Sequence, residues 1–385
     1  MQVTNDIYYV GVNDHKKDLF EGQFIIPEGM AYNSYIIEDE KIAIMDTADA
    51  EFEKEWLENV QEVLKEKTPD YLVIHHMECD HSSIIGKLVS LYPDITLVAT
   101  APAFNMLKNM FTFETEVKQI AIKDGDTLSL GKHTLYFYTA PFVHWPEVMM
   151  SYDEEDKVLF SADAFGKFGA NDVEEDDWAC EARRYYFGIV GKYGQQVQNL
   201  LHKLESLDIQ VICPLHGPVL NENISYYVNI YNTWSSYTPE DSGVVIVYTS
   251  VYGHTKQAAE LLKQMLEEKG APSVSIFDAV RDDFAEIVED VFRYDRLVLA
   301  TTTYNGEIFP NMKFLIDALV ERNYQNRKVA LIENGTWGPA AKKVMTNMLA
   351  NQKDVQILEE AVTIKTCLNE ESHRQLEILA DALCK

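Results

Sequence analysis

Apolar positions recur in two different styles along this chain. In N-S-Y-I-I-E-D-E-K-I-A-I-M-D, from Asn33 to Asp46, alternating apolar residues run into a charged turn at Glu38 to Lys41 and out again, which predicts a hairpin. Phe52, Trp56, Val60, Val63 and Leu64 then recur at helical spacing through a charged stretch. Tyr71 to His75 predicts a strand. H-T-L-Y-F-Y-T-A, V-M-M-S-Y-D and K-V-L-F-S predict three more, the last two flanking the acidic turn D-E-E-D, Asp153 to Asp156. A long helix is expected over Tyr186 to Leu207, and a short strand over Gln210 to Cys213.

Near residue 240 the style changes. Y-T-P-E-D-S-G is a polar, proline-containing linker. Strands and helices then alternate: V-V-I-V-Y, a helix from Lys256 to Glu268, S-V-S-I-F, a helix around Ala285 to Phe292, and R-L-V-L-A. A helix from Met312 to Glu321, K-V-A-L-I, a helix around Ala340 to Ala350, a strand near Ala361 to Ile364 and a helix from Glu370 complete the run. That alternation predicts a doubly wound parallel sheet. The expected domains are 1–240, mixing hairpins with helices, and 243–385, an α/β sheet.

Composition narrows the function classes. Apolar content of 46% is that of a globular chain, and no run of about 18 apolar residues predicts a transmembrane helix. With no signal-peptide pattern in M-Q-V-T-N-D-I-Y-Y-V, a cytoplasmic location is expected. A formal charge of −29 repels phosphate backbones and disfavours nucleic-acid binding. The five cysteines (Cys79, Cys180, Cys213, Cys367, Cys384) are scattered without a Cys-x-x-Cys pair, which argues against a disulfide framework and a zinc ribbon.

In a doubly wound sheet the ligand sits beyond the carboxyl ends of the strands. The first strand of the second domain ends in Thr249, Ser250, Val251, Tyr252, Gly253, His254 and Thr255, where hydroxyls and backbone N–H groups meet a helix N-terminus and suit a phosphate. The loop is neither a Walker loop nor G-x-G-x-x-G. A second strand end offers Thr302, Thr303, Tyr304, Asn305 and Gly306, and a third offers Asn334, Gly335, Thr336, Trp337 and Gly338. Each places an aromatic beside Gly and Asn, which fits a flat ring held between loops. The first loop resembles the Ser/Thr-x-Thr-Gly-x-Thr phosphate loop of flavodoxins, with Tyr252 where that family commonly has Thr. The resemblance implies FMN as the ligand.

The first domain carries H-H-M-E-C-D-H-S-S, His75 to Ser83, after a predicted strand. His76, Glu78, Asp80 and His81 are candidate ligands, and imidazole with carboxylate favours iron, manganese or zinc over copper(I). His144 in V-H-W-P-E, Asp163 in F-S-A-D-A-F and His216 in C-P-L-H-G-P each follow a predicted strand and could meet at one edge of a sandwich. Taken singly, a loop histidine is more often a hydrogen-bonding residue than a ligand, and Asp163 a turn residue. His75 is expected to point away from the site and Cys79 to fill space. Phe24, Tyr32 and Trp145 line the expected pocket or belong to the core.

The order of these elements resembles the metallo-β-lactamase superfamily, whose hallmark is His-x-His-x-Asp-His followed by a His, a bridging Asp and a His. Glu78 stands where the second His would be, adding a hard oxygen donor and favouring iron over zinc. Glu at that position, with a flavodoxin-like domain behind, is what flavodiiron proteins look like. The resemblance implies an N-terminal αββα metallo-β-lactamase-like sandwich and a C-terminal flavodoxin-like sheet. It also implies that His76, Glu78 and His144 bind one iron, that Asp80, His216 and His81 bind the other, and that Asp163 bridges. The implied activity is electron transfer from FMN to a non-haem diiron centre that reduces dioxygen to water, nitric oxide to nitrous oxide, or both. Implied partners are a separate electron donor, rubredoxin or a deazaflavin coenzyme, and a second copy of the chain in a head-to-tail homodimer or a dimer of dimers. The alternatives are a zinc hydrolase of this fold and a non-turnover electron carrier or redox sensor.

Overall fold

The structure, a computed structural model, describes residues 1–114, 116–173 and 177–385. The chain divides into two compact units, Met1–Asn232 and Thr233–Lys385. Among the described residues no helix is long and apolar enough to cross a membrane.

The first unit is built on two sheets. One holds six strands in the spatial order Ile7–Tyr9, Tyr35–Ile37, Ala43–Met45, Tyr71–Val73, Thr96–Thr100 and Lys118–Ile122; the other orders Thr127–Ser129, Thr134–Thr139, Met149–Asp153, Val158–Phe160 and Val211–Cys213. Their inner faces share one core, in which Tyr35, Met45, Val73 and Val98 of the first sheet meet Phe137, Met149, Phe160 and Cys213 of the second. Alternation along each strand puts these residues on one face, the geometry of a sandwich. The helix Glu53–Leu64 buries Trp56, Val60 and Leu64 at i, i+4 and i+8. The hairpin from Asn33 to Asp46 forms as its alternation predicts, Ile36 pairing with Ile44.

Two expectations fail here. The strand at Tyr71 stops at Val73, because His75 turns out to bond with a loop carboxylate instead of a ladder. The helix expected from Tyr186 to Leu207 is instead a π-helical turn Tyr186–Val190, a 3-10 turn Gly191–Tyr193 and α-helix Gly194–Leu204, preceded by an α-helix, Trp178–Tyr185, that was not expected. Gly188, Gly191 and Gly194 weaken the interior of that segment. At Gly188 the loss is specific: a Cβ there would lie 2.8 Å from the Phe24 ring, so only glycine admits the aromatic.

The second unit is the parallel sheet that the alternation predicts. Numbered within the unit, strands Asp241–Tyr248, Val274–Asp278, Tyr294–Tyr304, Arg327–Asn334 and Val355–Ile364 lie in the order 2-1-3-4-5. The order reverses beside the first strand, which is where such sheets bind ligands. The third strand runs on past Ala300 to Tyr304 and pairs with Glu307–Ile308 around Asn305 and Gly306, both at positive φ (51° and 80°). Asn-Gly is a strong hairpin signal, and reading this stretch as a plain loop missed it.

Candidate metal centre and flavin site

In the first unit the chain reverses after Val73, after Phe160 and after Cys213, and between Thr139 and Met149. These four connections carry all seven candidate ligands, and the sandwich brings them to one edge. Asp46 fixes the first connection by accepting the His75 N–H at 2.7 Å, and Asn33 Nδ2 fixes the last by donating to the Pro214 and Gly217 carbonyls at 2.8 and 2.7 Å.

The seven side chains form two groups. One ligand atom from each of His76, Glu78, His144 and Asp163 lies within 4.8 Å of the others, and the same holds for Asp80, His81 and His216. In the first group Glu78 Oε2 is 3.2 Å from both His76 Nε2 and His144 Nε2, and Asp163 Oδ2 is 3.0 Å from His144 Nε2. In the second, His81 Nε2 and His216 Nε2 face each other at 3.0 Å, each 3.4 Å from Asp80 Oδ2. Asp163 reaches both groups, since its Oδ1 lies 3.6 Å from His81 Nε2 and 4.0 Å from His216 Nε2. The His81 ring therefore turns inward.

This donor set fits two metal ions. Donors sharing one ion at about 2.1 Å stand about 3.0–3.4 Å apart, close to the spacing within each group. Both carboxylate oxygens of Asp80 and both of Asp163 are buried without a hydrogen-bond partner, an arrangement that is costly unless a cation satisfies them. The same crowding moves the proton affinities. Burial, then Glu78 and Asp163, drive the Asp80 carboxyl well above the usual range. Burial and the neighbouring His216 push His81 well down. Burial opposes a charge on His144, but Asp163 and Glu78 raise it to about 9.

The rings are held from behind. Glu147 Oε1 accepts from His76 Nδ1 at 2.8 Å and from the Met77 N–H at 3.0 Å; the Ala31 carbonyl accepts from His216 Nδ1 at 2.8 Å. Each bond leaves Nε2 free to face the group, the usual support for a metal-binding imidazole. Glu147 was missed in the sequence, although it stands three residues after His144, because a buried carboxylate that orients a ring has no spacing signature. His75 points away, its Nε2 on the Ser151 hydroxyl at 2.7 Å, as expected. Cys79 is exposed at the start of the short helix Cys79–Ser82 and does not act as filler.

Aromatics close the pocket. Trp145 stands edge-on to His76 at 5.2 Å between ring centres, and Tyr32 lies 6.0 Å from His216. The Tyr32 hydroxyl is turned to Lys17 Nζ at 2.7 Å. Phe24 packs on Phe168 at 5.5 Å, while its strand neighbour Phe20 meets His216 at 5.4 Å. Tyr185, absent from the sequence reading, is fully buried 5.6 Å from His216, with no hydrogen-bond partner for its hydroxyl. Burial, then the charges of Asp163, Glu78 and Asp80, push its phenol well up, so it keeps its proton. Tyr185 stands one residue before the helix expected over Tyr186 to Leu207, at the end of the helix Trp178–Tyr185.

The second unit has a cavity of about 270 Å³ at the strand ends, lined by Ser250, Val251, Tyr252, His254, Thr255, Thr302, Thr303, Tyr304, Asn334, Gly335, Thr336, Trp337 and Gly338, with Thr366 in addition. The helix His254–Glu268 opens on it from Gly253, whose φ of 91° brings the first turn round with its N–H groups unpaired. Four predicted residues do not line it. Thr249 is buried against the Thr301 hydroxyl at 2.7 Å, Gly253 caps the helix, and Asn305 and Gly306 make the hairpin turn. Trp337 and Tyr252 are 92% and 88% exposed, flat faces at the rim of a cavity suited to a planar ring. Asn334 ties the wall together by donating to the Thr366 carbonyl at 3.0 Å and accepting its N–H at 3.1 Å.

Comparison with known proteins agrees with this geometry. Residues 30–217 match the model of the ODP family beta lactamase, and residues 246–371 that of flavodoxin. The anaerobic nitric oxide reductase flavorubredoxin of Escherichia coli is 30% identical over 358 residues, covering 90% of this chain and 74% of that protein. Rubredoxin oxygen:oxidoreductase from Desulfovibrio gigas superposes with a TM-score of 0.92 at 25% identity, over 100% of this chain and 97% of that one. The flavodiiron protein of Giardia intestinalis shares the fold, with a TM-score of 0.91 at 24% identity over 100% and 97% of the two chains. A sandwich with a doubled His/carboxylate group and a flavodoxin-like sheet in one chain place this protein in the flavodiiron family, oxidoreductases whose cofactors are FMN and a pair of irons.

Proposed function

We propose that this chain reduces dioxygen to water, nitric oxide to nitrous oxide, or both, with His76, Glu78 and His144 holding one iron, Asp80, His81 and His216 the other, and Asp163 bridging. The observation that carries the reading is Asp163, buried with one oxygen turned to each group. When bound, two ferrous ions and FMN supply the electrons: four for one dioxygen, two for a pair of nitric oxides. The chain's own residues supply the rest. Glu147 and the Ala31 carbonyl orient His76 and His216. Trp145, Phe20 and Tyr32 keep water from the pocket. The reactions consume four protons per dioxygen or two per pair of nitric oxides, and Tyr185 holds a phenolic proton in the pocket with no competing acceptor.

In the second unit Ser250, the helix N-terminus at His254 and Thr255 would hold the FMN phosphate, with Tyr304 and Trp337 against the ring. The E. coli relative is named a flavorubredoxin and the D. gigas protein a rubredoxin:oxygen oxidoreductase, which supports rubredoxin as the electron donor, with a deazaflavin coenzyme as the alternative. A head-to-tail homodimer is proposed to pair one copy's flavin with the other's irons. Cysteines scattered along the chain without a Cys-x-x-Cys pair fit a reducing, cytoplasmic setting. Glu78 is what separates this from a zinc hydrolase of the same fold. The test is metal analysis of the purified protein followed by dioxygen and nitric oxide consumption with one saturating artificial donor. Two irons per chain and multiple turnovers with at least one gas are expected. Two zincs without iron would favour the hydrolase, and iron without turnover would favour a carrier.

A further inference from the structure

The acidic turn Asp153 to Asp156 takes no part in the gas chemistry. Strand register explains why: Leu135 pairs with Asp153 and Thr139 with Met149, so the connection carrying His144 leaves from one end of this strand pair while His133 and Asp153 stand at the other. There the His133 imidazole is fully buried, with Nδ1 3.0 Å from Asp153 Oδ2 and Nε2 3.3 Å from Asp6 Oδ2. Asp156 completes the group, one ligand atom from each of Asp6, His133 and Asp156 lying within 4.8 Å of the others. Asp153, 0% exposed, is turned into the cluster: its Oδ2 accepts from the imidazole and from the Asp156 N–H at 2.9 Å, while its Oδ1 is buried with no hydrogen-bond partner.

An imidazole that sets one ring nitrogen against a buried carboxylate and turns the other to a further carboxylate, here Asp6 with Asp156 in the same group, is the arrangement in which histidine binds metal. We propose that His133 Nε2, Asp6 and Asp156 form a third metal site, for one divalent ion of the zinc or manganese class, with Asp153 as the positioning residue that fixes the imidazole. One nitrogen with carboxylate oxygens favours these ions over calcium, which takes oxygen alone, and over copper(I), which prefers sulfur. The ion would tie the two sheets together, because Asp6 precedes the edge strand Ile7–Tyr9 of one and the other residues belong to the second. Its competitors are a proton on His133 Nε2, held 3.3 Å from Asp6 Oδ2, and Lys132, whose Nζ is 2.9 Å from Asp6 Oδ2 and 3.5 Å from Glu155. The Lys132 side chain is half-exposed and can swing into solvent. Thr4, whose hydroxyl donates to Asp156 Oδ2 at 2.5 Å, would have to yield or share that oxygen.

The test uses the protein with its irons and flavin bound, equilibrated with micromolar Zn²⁺. One zinc per chain is expected in addition to unchanged iron, with an anomalous peak at the zinc edge beside His133 and a raised melting temperature. His133→Gln and Asp156→Asn should each abolish the extra zinc and the thermal gain while iron stays bound, and Lys132→Gln should tighten zinc by about fivefold. Should His133→Gln fail to fold, Asp156→Asn on the partly exposed turn still decides. No extra zinc in the wild-type protein, a peak elsewhere, or zinc retained undiminished in the variants would overturn the site.

Discussion

Glu147 accepts a hydrogen bond from His76 Nδ1 at 2.8 Å and is itself sealed from solvent. Its carboxyl is held low despite burial, chiefly by that hydrogen bond and the charge of His76. The pair behaves as a unit, with the carboxylate setting which imidazole nitrogen faces the other ligands. Glu147→Ala should weaken iron binding by about 10–100-fold, the usual cost of losing such a support. Glu147→Gln keeps the shape and one acceptor and should recover part of it. Iron titration of the two variants, with circular dichroism to confirm folding, checks this.

Glu78→His restores the nitrogen donor that hydrolytic relatives of this fold carry. Glu78 lies 3.2 Å from both His76 and His144, so an imidazole at this position would stand beside the same two ligands. The variant should raise the zinc-to-iron ratio on loading from equimolar metals, because a softer donor replaces a hard one. An unchanged ratio, measured by elemental analysis, would mean that Glu78 does not set metal preference.

Tyr185→Phe removes one buried hydroxyl and nothing that touches the cofactor-binding residues by hydrogen bond. Iron and FMN content should stay at wild-type levels while turnover falls by about 10²-fold, the lower range for loss of a positioned proton donor. Stopped-flow reduction and gas-electrode rates on the same preparation separate the two. Equal turnover would reduce Tyr185 to packing.

Much of this architecture could be read from residue order because each ligand sits where a strand ends, and apolar alternation marks strand ends well. The His76–Glu78–Asp80–His81 run and the strand–helix alternation after residue 243 are local signals. What stayed hidden is non-local. Glu147 and Ala31 act through contacts between segments far apart in the chain, and Asn334 with Thr366 closes the flavin wall across 32 residues. Tyr185 lies one residue before the expected helix, and the Asn305-Gly306 turn looks like loop because the apolar run ahead of it stops at Ala300, four residues before the strand does.

Asn334→Ala cuts both bonds to Thr366 and frees one wall of the flavin cavity. FMN affinity should fall by about tenfold, on the scale of one to two hydrogen bonds, with iron content untouched. Fluorescence titration of the deflavinated protein with FMN reads the change. A wild-type affinity would show that the wall holds without this tie.

The His133 cluster gives the fold a pH dependence whose sign is fixed by its neighbours. Burial disfavours the imidazolium, but the hydrogen bond and charge of Asp153, with Asp6 and Asp156, outweigh it and raise its pKa to about 9. The unfolded value is about 6.5. The protonated ring is thus favoured in the folded state: its contribution is complete below about pH 6.5 and is lost as pH rises through about 9. In zinc-free buffer the wild-type chain should lose stability on the order of 2 kcal/mol across that window. His133→Gln, which cannot titrate, should start less stable at pH 6 and show a flatter curve. Melting temperatures of both proteins at half-unit steps from pH 6 to 10 check it, because groups common to both cancel in the difference. A difference that grows instead of shrinking with pH would mean that His133 is neutral in the folded chain.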